Sequence, residues 1–213
     1  MEKIITKVEV QKNNKNRVNV YVDEEYAFSC AAEVVYKYDL KKEKTIKVDE
    51  LREIINEDNY MKAKNSALRY IERTYKTEKE MQDKLFKKGY DKVTIKKVTS
   101  FLQEYKLLDD RKYAERYIKD KQKTAGKNKI KYDLLRKGIS QEIIESVLEN
   151  IESDCEETNA KLLAEKKYRT ILKRETDRRK VYEKLLRYLV SKGFSWELSK
   201  SVIEKVINHS ILD

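Results

Sequence analysis

A chain of 213 residues with no proline and four glycines predicts long helices joined by short turns, because average usage would supply about ten prolines. Charged residues make up 41% and the 39% apolar share includes 15 tyrosines, so the core is thin for the length and small modules are favoured over one large globule. With 49 Lys plus Arg against 38 Asp plus Glu, the net charge of +11 suits a polyanion or an acidic protein surface.

Cys30 and Cys155 form no CxxC pair, and no early apolar run serves as a secretory signal or spans a bilayer. The expectation is a soluble, cytoplasmic protein in a reducing compartment, with both thiols idle.

Residues 1–57 read as a small antiparallel β-rich domain. Ile4, Thr6, Val8 and Val10 alternate with polar neighbours, as do Val18, Val20 and Val22, and a third piece holds Tyr26, Phe28 and Cys30. Asn13 to Asn16 and Asp23 to Glu25 supply the turns. Residues 31–38 are expected as a short helix, Thr45 to Val48 as an extended piece, and residues 49–56 as a second short helix.

From residue 58 the period becomes helical, and the chain repeats. Gly89, Gly138 and Gly193 each follow a lysine and precede a large apolar residue, namely Tyr90, Ile139 and Phe194. Eight positions before each glycine stand Met81, Ile130 and Leu185, and four before it Leu85, Leu134 and Leu189. Nine after it stand Val98, Val147 and Val202, and thirteen after it Leu102, Ile151 and Val206. A spacing of four puts each pair on one helical face, and the glycine ends the helix in the left-handed conformation, which makes each repeat a helical hairpin. A further helix precedes each hairpin. The first two share Ala-x-Arg-Tyr-Ile, at Ala67 to Ile71 and Ala114 to Ile118, while the third, around Ala160, Leu163, Ala164 and Tyr168, is looser.

The fold class expected is therefore mainly α. Three tandem three-helix repeats, over residues 58–106, 107–152 and 153–213, form an extended curved body behind the β-rich domain. Thr77 with Glu80 is a capping box, and Asp109, Ser140 and Ser195 are placed to accept first-turn amides.

Charge is sorted along the chain. Residues 119–137 and 165–187 are basic runs, whereas residues 141–157 carry Glu142, Glu145, Glu149, Glu152, Asp154, Glu156 and Glu157 with no basic residue. The candidate partner- or DNA-binding side chains are Lys127, Lys129, Lys131, Arg136 and Lys137 from the first run. From the second they are Arg169, Lys173, Arg174, Arg178, Arg179, Lys180 and Lys184. The acidic segment either offsets neighbouring basic surface or meets a basic patch on a partner.

Catalytic chemistry finds no support. His209 stands alone near the terminus, no GxxxxGK[ST] loop surrounds Gly126, and no Cys/His set has zinc spacing. Asp109 and Asp110 read as helix caps, not metal ligands. No catalytic residue, metal or cofactor is expected.

Leu108-Asp109-Asp110-x-x-Tyr113-Ala114, then Gly126-x-x-x-Ile130-x-x-x-Leu134-x-x-Lys137-Gly138-Ile139, then a third Lys-Gly-Phe unit, resemble the bacterial regulatory protein RecX family over about residues 60 to 207. Two departures stand out: an arginine-rich stretch before the first hairpin is diluted to Arg73, Tyr75, Lys76 and Thr77, and Lys127 occupies a place where the family often has proline. The resemblance implies a non-enzymatic, cytoplasmic modulator of the RecA recombinase. It implies binding to RecA and its filament on single-stranded DNA, with reduced filament extension, strand exchange, ATPase and co-protease activity. It also implies DNA binding with weak sequence preference, and a monomer is expected. The alternative is a freestanding helix-turn-helix nucleic-acid-binding protein without RecA dependence.

Overall fold

The computed structural model describes residues 2–149 and 153–209, the side chains of residues 153, 154 and 209 excepted. Strands β1 (Glu2–Gln11), β2 (Asn14–Val22), β3 (Glu25–Ala31) and β4 (Thr45–Lys47) form one antiparallel sheet in the order β3-β2-β1-β4. Helix α1 (Ala32–Lys37) lies between β3 and β4. Three helical triplets follow: α2 (Val48–Ile71), α3 (Glu78–Lys87) and α4 (Lys92–Glu104), then α5 (Asp110–Lys121), α6 (Lys127–Arg136) and α7 (Gln141–Leu148), then α8 (Ser153–Leu172), α9 (Arg178–Ser191) and α10 (Trp196–His209). The residues divide into two compact units, one made of those up to Tyr75 with Met81–Leu108, the other of Lys76–Glu80 with those from Asp109 onward.

In the first unit, β2 and β3 bury the expected Val18, Val20, Val22, Phe28 and Cys30. The first strand differs from the simple alternation: Ile5 is fully buried and Ile4 is 49% exposed. Pairing runs Ile5 with Val22 and then Lys7 with Tyr21, so Thr6 is an extra residue that resets the parity and turns both Ile5 and Val8 to the core. Asp23 and Glu24, with φ of 51° and 71°, make the two-residue turn that joins β2 to β3. Burial pushes the Cys30 thiol up to about 11, which leaves it a neutral packing group, whereas Cys155 is exposed.

The short helix expected over residues 49–56 is instead the start of the 24-residue α2. Asn56, Asp58 and Asn59 are weak helix formers because their side chains compete with helix hydrogen bonds, but Asp58 is engaged elsewhere. Its buried carboxylate accepts from Arg17 at 3.1 Å, Lys62 at 2.7 Å and the Ala31 amide at 2.8 Å, which fastens the sheet to the helix. Burial alone would raise the Asp58 carboxyl, and these hydrogen bonds outweigh it and hold the group below the usual carboxylate range. Helix α2 thereby contributes to two cores, with Ile54 under the sheet and Ala63 and Ala67 against Met81, Leu85, Val98 and Leu102.

The second and third triplets enclose equivalent cores. Ile130, Leu134, Ile139 and Val147 line one, and Leu185, Leu189, Phe194, Val202 and Val206 line the other. Ile151, the remaining member of that register, lies outside the described residues. Gly89, Gly138 and Gly193 have φ of +85°, +85° and +89°. The following amides return to the carbonyls of Leu85, Leu134 and Leu189 at 3.2 to 3.3 Å, and each glycine amide returns three residues back at 2.9 Å. This is the Schellman ending, made three times. Thr77 and Glu80 form the reciprocal capping box, and Asp109, Ser140 and Ser195 cap as expected. Asp91 and Asp177 are further caps that the register did not single out.

Within the second unit the Lys-Gly corners form joints of one design. The Lys137 carbonyl accepts the Thr77 hydroxyl at 2.8 Å, and the Lys192 carbonyl accepts the Gly126 amide at 2.9 Å. Thr77 and Gly126 both lie twelve residues before a corner glycine, and each begins a middle helix. One residue on, the Glu78 amide donates to Asp110 and the Lys127 amide to Glu156, both at 2.9 Å. A proline at position 127 would lack that donor. A Cβ on Gly138 would strike the Lys79 side chain, and one on Gly193 would strike the Lys129 backbone, whereas at Gly89 nothing lies within 4 Å.

The three glycines therefore rank by more than backbone conformation. Gly89→Ala should cost only the left-handed strain, ~1–2 kcal/mol, and Gly193→Ala at least about twice that, because backbone atoms must also separate. Urea unfolding of the two variants checks the order. Asp58→Ala strands the Arg17 guanidinium and should cost about 3 kcal/mol. In the parent protein the depressed Asp58 carboxyl contributes stability that is present above the unfolded-state value near ~4 and disappears as pH falls through the lower folded value. Thermal melts between pH 7 and pH 2 should show this acid-side loss shrinking in Asp58→Asn.

Candidate partner-binding surface

The second basic run gathers where α8 ends and α9 begins. Arg169 sits in the last turn of α8, Lys173 and Arg174 lie in the loop, Arg178, Arg179 and Lys180 open α9, and Lys184 follows one turn later. All seven are exposed. Asp177 caps α9 by accepting the Arg179 and Lys180 amides, Glu183 pairs with Arg179 at 3.4 Å, and Arg178 reaches Asn208 at 3.5 Å. Glu175 binds Lys184 at 2.8 Å, and that ammonium, helped by the Asp177 amide, holds its carboxyl below the ordinary range. Arg169, Lys173 and Arg174 have no ion pair among the described residues. Three cations in the first turn of α9 oppose the helix dipole, which favours anions there, so this crowding works against the helix and leaves a strong positive surface.

The first run divides instead. Lys129 and Arg136 are exposed without an ion pair among the described residues. Lys131 pairs with Glu145 at 2.8 Å, and the Lys127 ammonium lies 3.9 Å from Glu156. Lys137 is drawn into the joint: its ammonium meets Glu80 at 2.7 Å and lies 5.3 Å from the centroid of the Tyr113 ring. Burial works to lower its affinity for the proton, but Glu80 and Tyr113 prevail and raise it.

The same joint accounts for the Leu-Asp-Asp-x-x-Tyr-Ala segment. Leu108 enters the core of the first hairpin, Asp109 caps α5, Asp110 holds the first turn of α3, Tyr113 faces Lys137 and Ala114 is fully buried. Burial raises the Asp110 carboxyl above its usual range, against the pull of the Glu78 amide. The acidic segment is partly engaged within the chain, since Glu145, Glu156 and Glu157 meet Lys131, Lys127 and Lys205. Glu152 and the Asp154 side chain lie outside the described residues, as does the His209 side chain at the end of α10.

Sequence reasoning missed one hollow. In the first unit, α2 and α4 line a cavity of about 910 Å³ with Tyr60 and Phe101, the cations Lys92, Lys96 and Lys97 and the carboxylates Glu53, Glu57 and Glu104. Its only forewarning is that apolar Val93 and Phe101 share a helix with those lysines. Among the described residues no group of three or more His, Cys, Asp or Glu could hold a metal ion, and no helix is long and apolar enough to cross a membrane.

Comparison with known proteins agrees along the whole chain. It matches the regulatory protein RecX N-terminal domain over residues 3–47 and the first, second and third RecX three-helix domains over residues 63–102, 109–148 and 155–203. The regulatory protein RecX of Clostridium perfringens (strain SM101 / Type A) is 50% identical over 209 residues, covering 98% of this chain and 99% of that protein. That of Clostridium tetani is 49% identical over 203 residues, covering 95% and 94%. Among solved structures, a crystal structure of regulatory protein RecX superposes with a TM-score of 0.75 at 28% identity, covering 97% of this chain and 99% of that one.

Neighbouring cations should thus separate by role. Lys137→Met should destabilise the protein by about 1–2 kcal/mol through loss of the Glu80 and Tyr113 contacts, while Arg136→Met should stay within about 0.5 kcal/mol of the parent. Parallel denaturation curves distinguish them.

Proposed function

The chain belongs to the RecX family of regulatory proteins, and on that premise we propose that it is a negative modulator of the RecA recombinase. It binds RecA and the RecA filament on single-stranded DNA in the cytoplasm, as a monomer, and limits filament extension, strand exchange, ATP hydrolysis and co-protease activity. The observation that carries this reading is the exposed basic corner between α8 and α9, whose crowding at a helix N-terminus opposes the helix dipole and suits a polyanionic or acidic partner. Such a regulator acts without bond chemistry, by binding one filament state better than another. Its cations meet RecA carboxylates or DNA phosphates, the latter with weak sequence preference and strong salt dependence.

A freestanding groove reader is the second reading. The exposed residues of α7 and its C-cap include Glu142, Glu145 and Glu149, which repel phosphate, so the second hairpin is unsuited to it. The exposed Lys92, Lys96 and Lys97 of α4 leave the first hairpin as the candidate. Such a reader prefers one duplex sequence by orders of magnitude, a preference a filament modulator lacks.

Titration into a RecA-dependent ATPase assay on single-stranded DNA tests the proposal, with inhibition expected well below one molecule per RecA. Replacing Arg174, Arg178, Arg179 and Lys180 together by glutamate should weaken that inhibition at least about tenfold with unchanged helical circular dichroism. Full inhibition by this variant would remove the corner from the interface.

A further inference from the structure

The cavity of about 910 Å³ in the first unit is lined at helical spacing by two helices. Helix α4 contributes Lys92, Lys96, Lys97, Ser100, Phe101 and Glu104, one face along its whole length, and α2 contributes Glu53, Asn56, Glu57 and Tyr60, a stripe of two turns. Space lined by two helical faces has the form of a groove for a third helix. The charges of α4 run against its dipole: the first turn holds Lys92 and no acidic residue, and the last turn holds Glu104 and no basic one. Lys92, Lys96, Lys97, Glu53 and Glu104 line the same cavity yet have no ion pair among the described residues, whereas Glu57 is held by Lys37 at 2.7 Å. Burial first, and then the Glu57 and Glu104 carboxylates, keep the Tyr60 hydroxyl above its ordinary range. These acidic groups thus gather about Tyr60, with Glu104 about 18 Å along the helix from Lys92.

We propose that this groove docks an amphipathic helix of a protein partner, acidic toward one end and basic toward the other, with a large apolar side chain seated against the aromatic lining. Helices favour acidic residues at their start and basic ones at their end. Such a helix, lying parallel to α4, places each sign opposite its counterpart. A nucleic acid does not: its single sign of charge suits the lysines and is repelled by Glu53, Glu57 and Glu104. The exposed Val93, at 67%, and the half-buried Tyr60 and Phe101 supply the apolar contact that charge alone lacks. The groove lies wholly within the first unit, apart from the basic corner between α8 and α9, and its use requires no RecA.

The test uses the full chain and three labelled alanine-rich peptides of about 18 residues, long enough to form helix, each with the same leucine stripe. One carries glutamates in its first half and lysines in its second, one glutamates alone and one lysines alone. By fluorescence anisotropy the parent should bind the two-signed peptide at least about tenfold tighter than either of the others. Exchanging the leucines of that peptide for glutamine should weaken it about tenfold or more. Lys92→Glu, Lys96→Glu and Lys97→Glu together should weaken binding of the two-signed peptide at least about tenfold and make the all-lysine peptide the preferred one. Glutamates suit the start of a helix, so this variant should melt no lower than the parent. Replacing Arg174, Arg178, Arg179 and Lys180 by glutamate should leave peptide binding unaltered, which separates this groove from the surface assigned to RecA inhibition. Equal binding of the two-signed peptide by the parent and the triple variant would overturn the proposal. So would tighter binding of the all-glutamate peptide, which marks a surface for polyanions, or no binding of the two-signed peptide up to about 1 mM.

Discussion

The helical part of the molecule depends on a left-handed corner with no side chain. A glycine at φ near +85° lets the chain end one helix and begin the next with four residues between them, and the amide after it returns to the final turn. At Gly138 and Gly193 the same missing Cβ does a second task, because another helix N-terminus sits where the side chain would be. Hairpin closure and joint formation therefore share one residue at those two corners, whereas the corner at Gly89 is open.

The joints also sort the cations. A lysine beside a corner glycine reads as surface charge, but Lys137 has its carbonyl and its ammonium both committed to α3. Lys127 and Lys131 answer the acidic residues of the following segment. What remains is concentrated at the α8–α9 corner, where no joint follows and where α9 begins four residues earlier, relative to its glycine, than α3 or α6. Asp110 and Tyr113, from the Leu-Asp-Asp-x-x-Tyr-Ala segment, help to build the joint.

A regulator of a helical polymer needs repeated, weakly reactive surface more than a pocket with aligned catalytic groups. The second unit combines an exposed basic corner between α8 and α9 with Lys-Gly corners joined by hydrogen bonds to the starts of α3 and α6. The cavity lined by α2 and α4 holds lysines and glutamates together, apart from the basic corner between α8 and α9.

The periodicity and glycine register by themselves determined the mainly helical class, the three hairpins, the strands β2 and β3, four of the caps and the buried face of every middle helix. These are local consequences of spacing and backbone conformation, which neighbouring residues suffice to dictate. Only tertiary structure decided that Ile5 and not Ile4 faces the core, since one bulged residue resets a period of two, and that α2 runs unbroken, since Asp58 serves Arg17 in place of a cap. It likewise decided which lysines are engaged, because a charge finds its partner across as many as 57 residues of chain, as Lys137 does with Glu80, and no local pattern encodes that distance.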